Sequence, residues 1–223
     1  MARMARVVVP CEPHHITQRG ARRQRTFFRA ADYQHYLALL AEACRESKTR
    51  IWAYCLMPNH VHLVAVPAHV DGLRASFAWT HQRYASAVNE RHEWRGHLWQ
   101  ERYYSFPMDE PHLLAAVRYV ERNPVAAGLC PHAADWPWSS APAHLAGHND
   151  LLVEVEPMLA RVEDWSAYLA EPNPAGFSER IAKHSRSGRP LGDDGYVLRL
   201  ERITGRVLRR RKPGPLGKRA SER

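Results

Sequence analysis

Two histidines one residue apart, His60 and His62, stand in the run Leu56-Met57-Pro58-Asn59-His60-Val61-His62-Leu63-Val64-Ala65-Val66-Pro67, which otherwise reads as a tight turn entering a buried strand. Side chains alternate faces along a strand, so both imidazoles project from one sheet face while Val61 points to the other. An unpartnered buried imidazole costs roughly 1–3 kcal/mol, so the pattern calls for a hydrogen-bond network or a bound metal ion. On spacing alone, two hydrogen-bonded sheet histidines fit as well as a metal site does. A metal site also needs a third ligand. Tyr119 and Asn123 lie one turn apart on the flank of an amphipathic helix whose packing stripe is Leu113, Ala116, Val117 and Val120. Two imidazole nitrogens plus an amide oxygen would leave coordination positions open, and a tyrosine one turn away would supply a nucleophile. Each residue also has a plainer reading: Tyr119 as an interfacial aromatic, Asn123 as a helix terminator before Pro124.

The elements that must position these groups follow from periodicity. His14 to Gln18 reads as a first strand running into the basic stretch Arg19-Gly20-Ala21-Arg22-Arg23-Gln24-Arg25. Tyr33, Tyr36, Leu37, Leu40 and Cys44 form one helical stripe. Ile51–Met57 and His60–Val66 pair as a hairpin through Pro58-Asn59. Leu73, Phe77, Tyr84 and Val88 keep a second helical period, opened by Asp71-Gly72. Leu98–Met108 has the aromatic content of a fourth strand. Asp109-Glu110-Pro111 starts a third helix, which Pro124 stops near Asn123. The order strand, helix, hairpin, helix, strand, helix predicts an α+β fold, an antiparallel sheet with helices packed on it. Asp135–Ala146 reads as a segment wrapping back onto the core without chemistry of its own. Glu171–Gly176 reads as a linker, and Tyr196, Leu200, Ile203 and Val207 mark one short helix beyond it.

The chain has 223 residues, 45% hydrophobic and 25% charged, an ordinary globular mixture. Its opening residues lack the apolar region of a signal peptide and no run is long enough to span a membrane, so a cytoplasmic location is expected. Four scattered cysteines without a CxxC pair argue against a zinc knuckle or a disulfide framework. The net charge is +9, and all of that excess lies in residues 176–223, which hold 14 Lys+Arg against 5 Asp+Glu. Only 4 of the 32 basic residues are lysine. Arginine's planar fork suits phosphates and base edges, which makes nucleic acid the leading partner class, although a solvated tail accounts for the charge equally well.

The motifs "MPNHVHL", "GHLWQERYYS", "RYVERNPVAAGL" and "DWPWSSA", with "HHITQRGARRQ" before them and "SGRPLGDDGYVLRLERITGR" after, resemble the REP-associated tyrosine transposases, relatives of the single-tyrosine transposases of the HUH endonuclease superfamily. The resemblance implies a ferredoxin-like HUH domain over residues 1–150, a helical extension and linker over 151–175, and a basic C-terminal helical tail over 176–223. It implies a metal-dependent single-strand DNA endonuclease and strand transferase that acts beside palindromic hairpins through a 5′-phosphotyrosine intermediate. Tyr119 matches the nucleophile, His60 and His62 the metal-binding histidines, and Asn123 the amide ligand, with Mg²⁺ or Mn²⁺ as the ion.

The same resemblance puts the hairpin foot against Arg19, Arg22, Arg23 and Arg25. It gives a DNA-associated cytoplasmic protein, monomer or homodimer. His112, two turns before Tyr119, is a candidate assisting group, and Trp99, Tyr103 and Tyr104 are candidates for stacking on bases. The tail lacks the repeated Gly-Arg-Pro pattern expected of several relatives. Two rivals stay open: a non-catalytic hairpin-binding regulator on the same scaffold, and a metal-dependent phosphodiesterase that uses water.

Overall fold

The computed structural model describes residues 5–209. Four strands, β1 (His14–Arg19), β2 (Thr49–Met57), β3 (His60–Pro67) and β4 (Tyr104–Pro107), form one sheet in the order β2-β3-β1-β4. All neighbours run antiparallel. Helices α1 (Ala30–Glu46) and α2 (Trp79–Arg91) connect them in a β-α-β-β-α-β path, the ferredoxin-like arrangement. Helix α3 (Glu110–Glu121) follows β4 and crosses the opposite face.

Strand alternation divides the molecule into two cores. Ile16, Tyr54, Leu56, Val61, Leu63 and Ala65 face α1 and α2 and meet Tyr36, Leu40, Phe77 and Tyr84 there. Ala53, Cys55, Met57, Val64, Val66 and Phe106 face the other way, toward Leu113, Ala116, Val117 and Val120 of α3. Apart from the half-buried Leu37, the helical stripes read from the sequence are thus the buried ones in α1, in α2 with the turn before it, and in α3.

Two regions differ from expectation, the fourth strand and the C-terminal helices. The fourth strand is limited to 104–107, because Leu98, Trp99 and Tyr103 turn into the α1/α2 core, where the Trp99 indole donates to His81 O at 3.1 Å. Trp99 and Tyr103 are therefore buried packing residues, not exposed stacking platforms. The third helix stops before Pro124 as expected, at Glu121. Another turn, α4 (Asn123–Ala126), continues with Ala126 N–H on Arg122 O and closes at Gly128, whose φ is +68°.

The C-terminal region carries two helices, not one. After α5 (Ala141–Ala146), α6 (Glu156–Leu159) and α7 (Trp165–Ala170) come α8 (Phe177–Ser187) and α9 (Asp194–Thr204). Phe177, Ile181 and Leu191 join the α3-side core, while Tyr196, Val197 and Leu200 cover Val7 and Val9. Ile203 and Val207 point outward at 56% and 57% exposure, so the buried stripe of α9 is 196/197/200. Much of the local positive charge is used internally. Arg199 pairs with Glu12 and Arg209 with Glu201, Arg189 donates to Leu208 O and Arg209 O, and Arg206 donates to Ala5 O and Arg6 O. Residues 210–223, the rest of the expected basic tail, lie outside the described part. Among the described residues no helix is long and apolar enough to cross a membrane.

Both outer strands are covered. Backbone bonds tie β2 to Trp138, Ser140 and Glu154, and Leu191 exchanges bonds with Pro107 and Asp109 beside β4. The wrapping segment fixes α3 as well. Glu121 is fully buried, and its carboxylate accepts from Ser140 Oγ at 2.5 Å, His144 Nδ1 at 2.7 Å and Trp165 Nε1 at 2.9 Å. From the exposed side of α3, Arg118 reaches Glu171 and Pro172 O, while Arg122 donates to the carbonyls of Leu169, Ala170 and Glu171. The linker read from the sequence is therefore pinned to the helix that carries Tyr119.

Glu121→Ala would leave three buried donors unpaired, an expected loss of about 3–5 kcal/mol. At 2–4 °C per kcal/mol for a domain of this size, the thermal midpoint should fall by about 6–20 °C. Circular dichroism melts of the variant and the parent check this.

Candidate active site

The β1–β3 register sets the site's floor. Arg19 lies opposite His60, Thr17 opposite His62, and His15 opposite Val64. Directly paired residues point to the same face, so one surface carries His15, Thr17 and Arg19 beside His60 and His62. The two ring centroids of His60 and His62 are 4.9 Å apart with planes at 87°. Helix α3 lays Tyr119 edge-on against His62, with centroids 5.4 Å apart, and Phe177 of α8 closes the far side of the phenol at 6.1 Å. Asn123, one turn on, lies beside both His60 and Tyr119 and acts on the pKa of each. The four groups singled out by spacing are therefore brought together.

The outer nitrogens of the imidazoles are occupied. His60 Nδ1 is 2.6 Å from Asn59 Oδ1, and His62 Nδ1 is 3.2 Å from His15 Nε2. Burial, with the Arg19 charge adding to it, lowers the His60 pKa to about 4. Burial first, then the neighbouring His60, His15 and Arg19, pushes His62 well below its ordinary value. Burial alone brings His15 to about 3. Neutral imidazoles keep a lone pair for a cation at neutral pH. The Tyr119 pKa is raised, chiefly by burial, and the Asn123 hydrogen bond and the Arg19 charge partly offset that rise.

Arg22, Arg23 and Arg25 are exposed on the loop that follows β1, whereas Arg19 is half-buried at the site. Arg22 and Arg23 adopt φ of +54° and +62°, left-handed conformations that side chains disfavour. The loop is held in that shape by its neighbours. Gly20 N–H donates to Asn59 O at 2.8 Å, Thr26 N–H to Pro58 O at 2.9 Å, and Asn59 Nδ2 to Arg23 O at 3.1 Å. A Cβ on Gly20 would sit 2.3 Å from Gln24 O, so only glycine permits this approach. His112 is elsewhere: its Nδ1 is 2.5 Å from Asp109 Oδ1 at the start of α3, and seven residues of helix put it about 10 Å along the axis from Tyr119.

Sequence reasoning missed His15 and Asn59, which hold the two imidazoles, and a basic cleft on the other face of the sheet. The cleft has a volume of about 1090 Å³ and is lined among others by Gln18, Arg22, Arg74, Gln82, Trp99 and Arg102. The alternation His15-x-Thr17-x-Arg19 was available as a signal, but only the register connects it to His62. Among the described residues no group of three His, Cys, Asp or Glu side chains is placed to hold a metal ion.

An unfolded histidine takes up a proton near pH 6.5, whereas folded His14 and His60 do so near 4 and His15 and His81 near 3. Between those values the unfolded state binds more protons, so stability should fall as pH drops from about 6.5 toward 4, by at most about 1.4 kcal/mol per unit for each such group. Urea unfolding at pH 7, 6 and 5 with divalent ions chelated measures this, and a flat profile would contradict neutral burial.

The model of the family described as "Transposase IS200 like" matches residues 8–123, a stretch that runs from just before β1 to the Asn123 amide. A Haemophilus influenzae protein described as a REP-associated tyrosine transposase is 25% identical over 135 residues, 56% of this chain and 70% of its own. A solved structure of a REP-associated tyrosine transposase bound to a REP hairpin superposes with a TM-score of 0.57 at 20% identity, over 68% of this chain and 90% of that one. It shares the fold of four antiparallel strands with helices packed on them. With the histidine pair on its sheet and the tyrosine on its last core helix, the chain belongs to the IS200-like transposase family, and its sequence is similar to that of a REP-associated tyrosine transposase.

Proposed function

We propose that this transposase is a single-strand DNA endonuclease and strand transferase that cuts beside a palindromic hairpin through Tyr119. The observation that carries the reading is the convergence of a phenol, an amide and two neutral imidazoles on one sheet face, with the Arg19 guanidinium across from them. The hairpin-bound relative supports the choice of DNA partner.

The donor set fits a divalent ion. Two imidazole Nε2 lone pairs and the Asn123 Oδ1 would hold Mg²⁺ or Mn²⁺ with positions left for phosphate oxygens. Bound there, the ion would draw charge from the scissile phosphate and from the departing oxygen. The rest falls to the protein's own groups. Tyr119 Oη attacks phosphorus in line, the P–O3′ bond breaks, and the leaving 3′ oxygen takes up a proton, giving a 5′-phosphotyrosine and a free 3′-OH. Burial opposes the phenolate that this attack requires, and the Asn123 amide and Arg19 work against that penalty. Phosphodiester energy is kept in the tyrosyl link, so another 3′-OH reverses the step and joins strands without ATP. Arg22, Arg23 and Arg25 supply exposed charge beside the site for the hairpin foot, and the basic cleft bordered by Arg22 offers room for adjoining single strand.

Incubating the protein with a single-stranded hairpin oligonucleotide and Mg²⁺ or Mn²⁺ should yield a covalent adduct on a denaturing gel. Tyr119→Phe should abolish adduct and cleavage while hairpin affinity is retained, because one oxygen is lost. His60→Ala, His62→Ala or EDTA should have the same effect on cleavage. Undiminished cutting by Tyr119→Phe without an adduct would point to water as nucleophile. Binding without any cutting by the parent protein would leave only a hairpin-binding regulator.

Residues 210–223 carry six Lys and Arg, and their removal leaves α8 and α9 in place. Truncation after Arg209 should weaken hairpin binding and reduce its log–log salt slope by about 0.7–0.9 for each phosphate no longer neutralised, with cleavage at saturating DNA retained. Fluorescence anisotropy across salt concentrations reads this, and an unchanged slope assigns recognition to the Arg19–Arg25 loop.

A further inference from the structure

His60 and His62 each need one nitrogen free for a cation and the other satisfied, and the structure shows how the second requirement is met. Asn59 Nδ2 donates to Arg23 O, which fixes the amide so that its Oδ1 faces His60 Nδ1 at 2.6 Å. An amide oxygen only accepts, so the proton sits on His60 Nδ1 and the lone pair on Nε2. His62 has no such amide. Its Nδ1 meets His15 Nε2 at 3.2 Å.

His15 is an expensive residue for its location. It is 0% exposed, lies against Phe106 at 5.2 Å, and its Nδ1 has no hydrogen-bond partner among the described residues. Packing alone would favour an apolar side chain, which fills such a space without an orphaned nitrogen. The one polar interaction its ring makes among the described residues is with His62.

We propose that His15 is a positioning residue for His62: its Nε2 accepts the His62 Nδ1–H, holding the ring's orientation and leaving His62 Nε2 as the ligating nitrogen. It does for His62 what Asn59 does for His60. The role rests on the metal centre proposed above, and such outer partners typically govern metal affinity by 10–100-fold.

The test is Mn²⁺ titration of the full chain without DNA, followed by the electron paramagnetic resonance of free Mn²⁺, on the parent and on His15→Phe, His15→Leu and His15→Gln. The Phe and Leu variants should bind Mn²⁺ about 10–100-fold more weakly, with thermal midpoints equal to or above the parent's. Glutamine places its Oε1 near the position of the imidazole Nε2, so His15→Gln should recover most of the affinity. Unchanged affinity in the Phe and Leu variants overturns the role, as does a Gln variant no better than they are. Loss of the cooperative melt in all three would make His15 a purely structural residue and overturn it equally. A parent protein that takes up no Mn²⁺ instead overturns the metal centre, and the His15 role with it.

Discussion

The site depends first on the register of one strand pair. β1 and β3 lie side by side at the middle of the sheet, and their alignment puts Arg19 against His60 and the His15 ring within reach of His62. Side chains alternate with a period of two, so a slip by one residue would turn both histidines toward Tyr36 and Phe77 and away from Tyr119. Apolar burial guards against that slip. Val61 and Leu63, between and beyond the histidines, are 0% exposed in the α1/α2 core and would have to exchange places with imidazoles. The chemistry on one face is thus held by hydrophobic packing on the other.

The second requirement is to hold a helix at a fixed height above that face. Leu113, Ala116, Val117 and Val120 seat α3, but an apolar stripe permits sliding and rolling that would move a phenol by more than a hydrogen bond tolerates. Polar ties remove that freedom. Glu121 binds the inner side of the helix to the wrapping segment, and Arg118 and Arg122 bind its outer side to the chain after α7. These three residues lie among Tyr119, Val120 and Asn123 along the same turn and a half. Positional accuracy of this kind is what the proposed in-line attack would demand, since small displacements of a reacting atom cost large factors in rate.

Much of this was legible from the residues. The order of elements and most of the buried stripes of the first three helices follow from periods of 2 and 3.6, which also allow His60, His62, Tyr119 and Asn123 to meet, a grouping that the resemblance of their motifs implies. What was not legible depends on tertiary context. The strand expected at 98–108 shrinks because Trp99 and Tyr103 find a better-packed place beneath α2 than in the ladder. Pro124 stops α3 as read, but the short helix that starts around it was not legible, because a proline in a first turn loses a donor that has no partner there anyway. His15 looked like an ordinary strand residue because its partner is 47 positions away. The charge of residues 176–223 reads as available to nucleic acid or to solvent, whereas carbonyls and carboxylates claim Arg189, Arg199, Arg206 and Arg209, and pairings of this kind appear only once α9 lies on Val7 and Val9 of the N-terminal segment.

The covering of both sheet margins has a consequence for how the molecule meets others. A bare outer strand is a template, a row of amide donors and carbonyl acceptors that any extended chain can zip onto, including another copy of itself. Here Trp138, Ser140 and Glu154 already take the outward bonds of β2, and Leu191 takes those next to β4. Any neighbour approaching these margins has to bind side chains, whose pattern is particular to each surface, and cannot simply extend the ladder. Specificity of association is thereby moved from the backbone, which all proteins share, to the sequence.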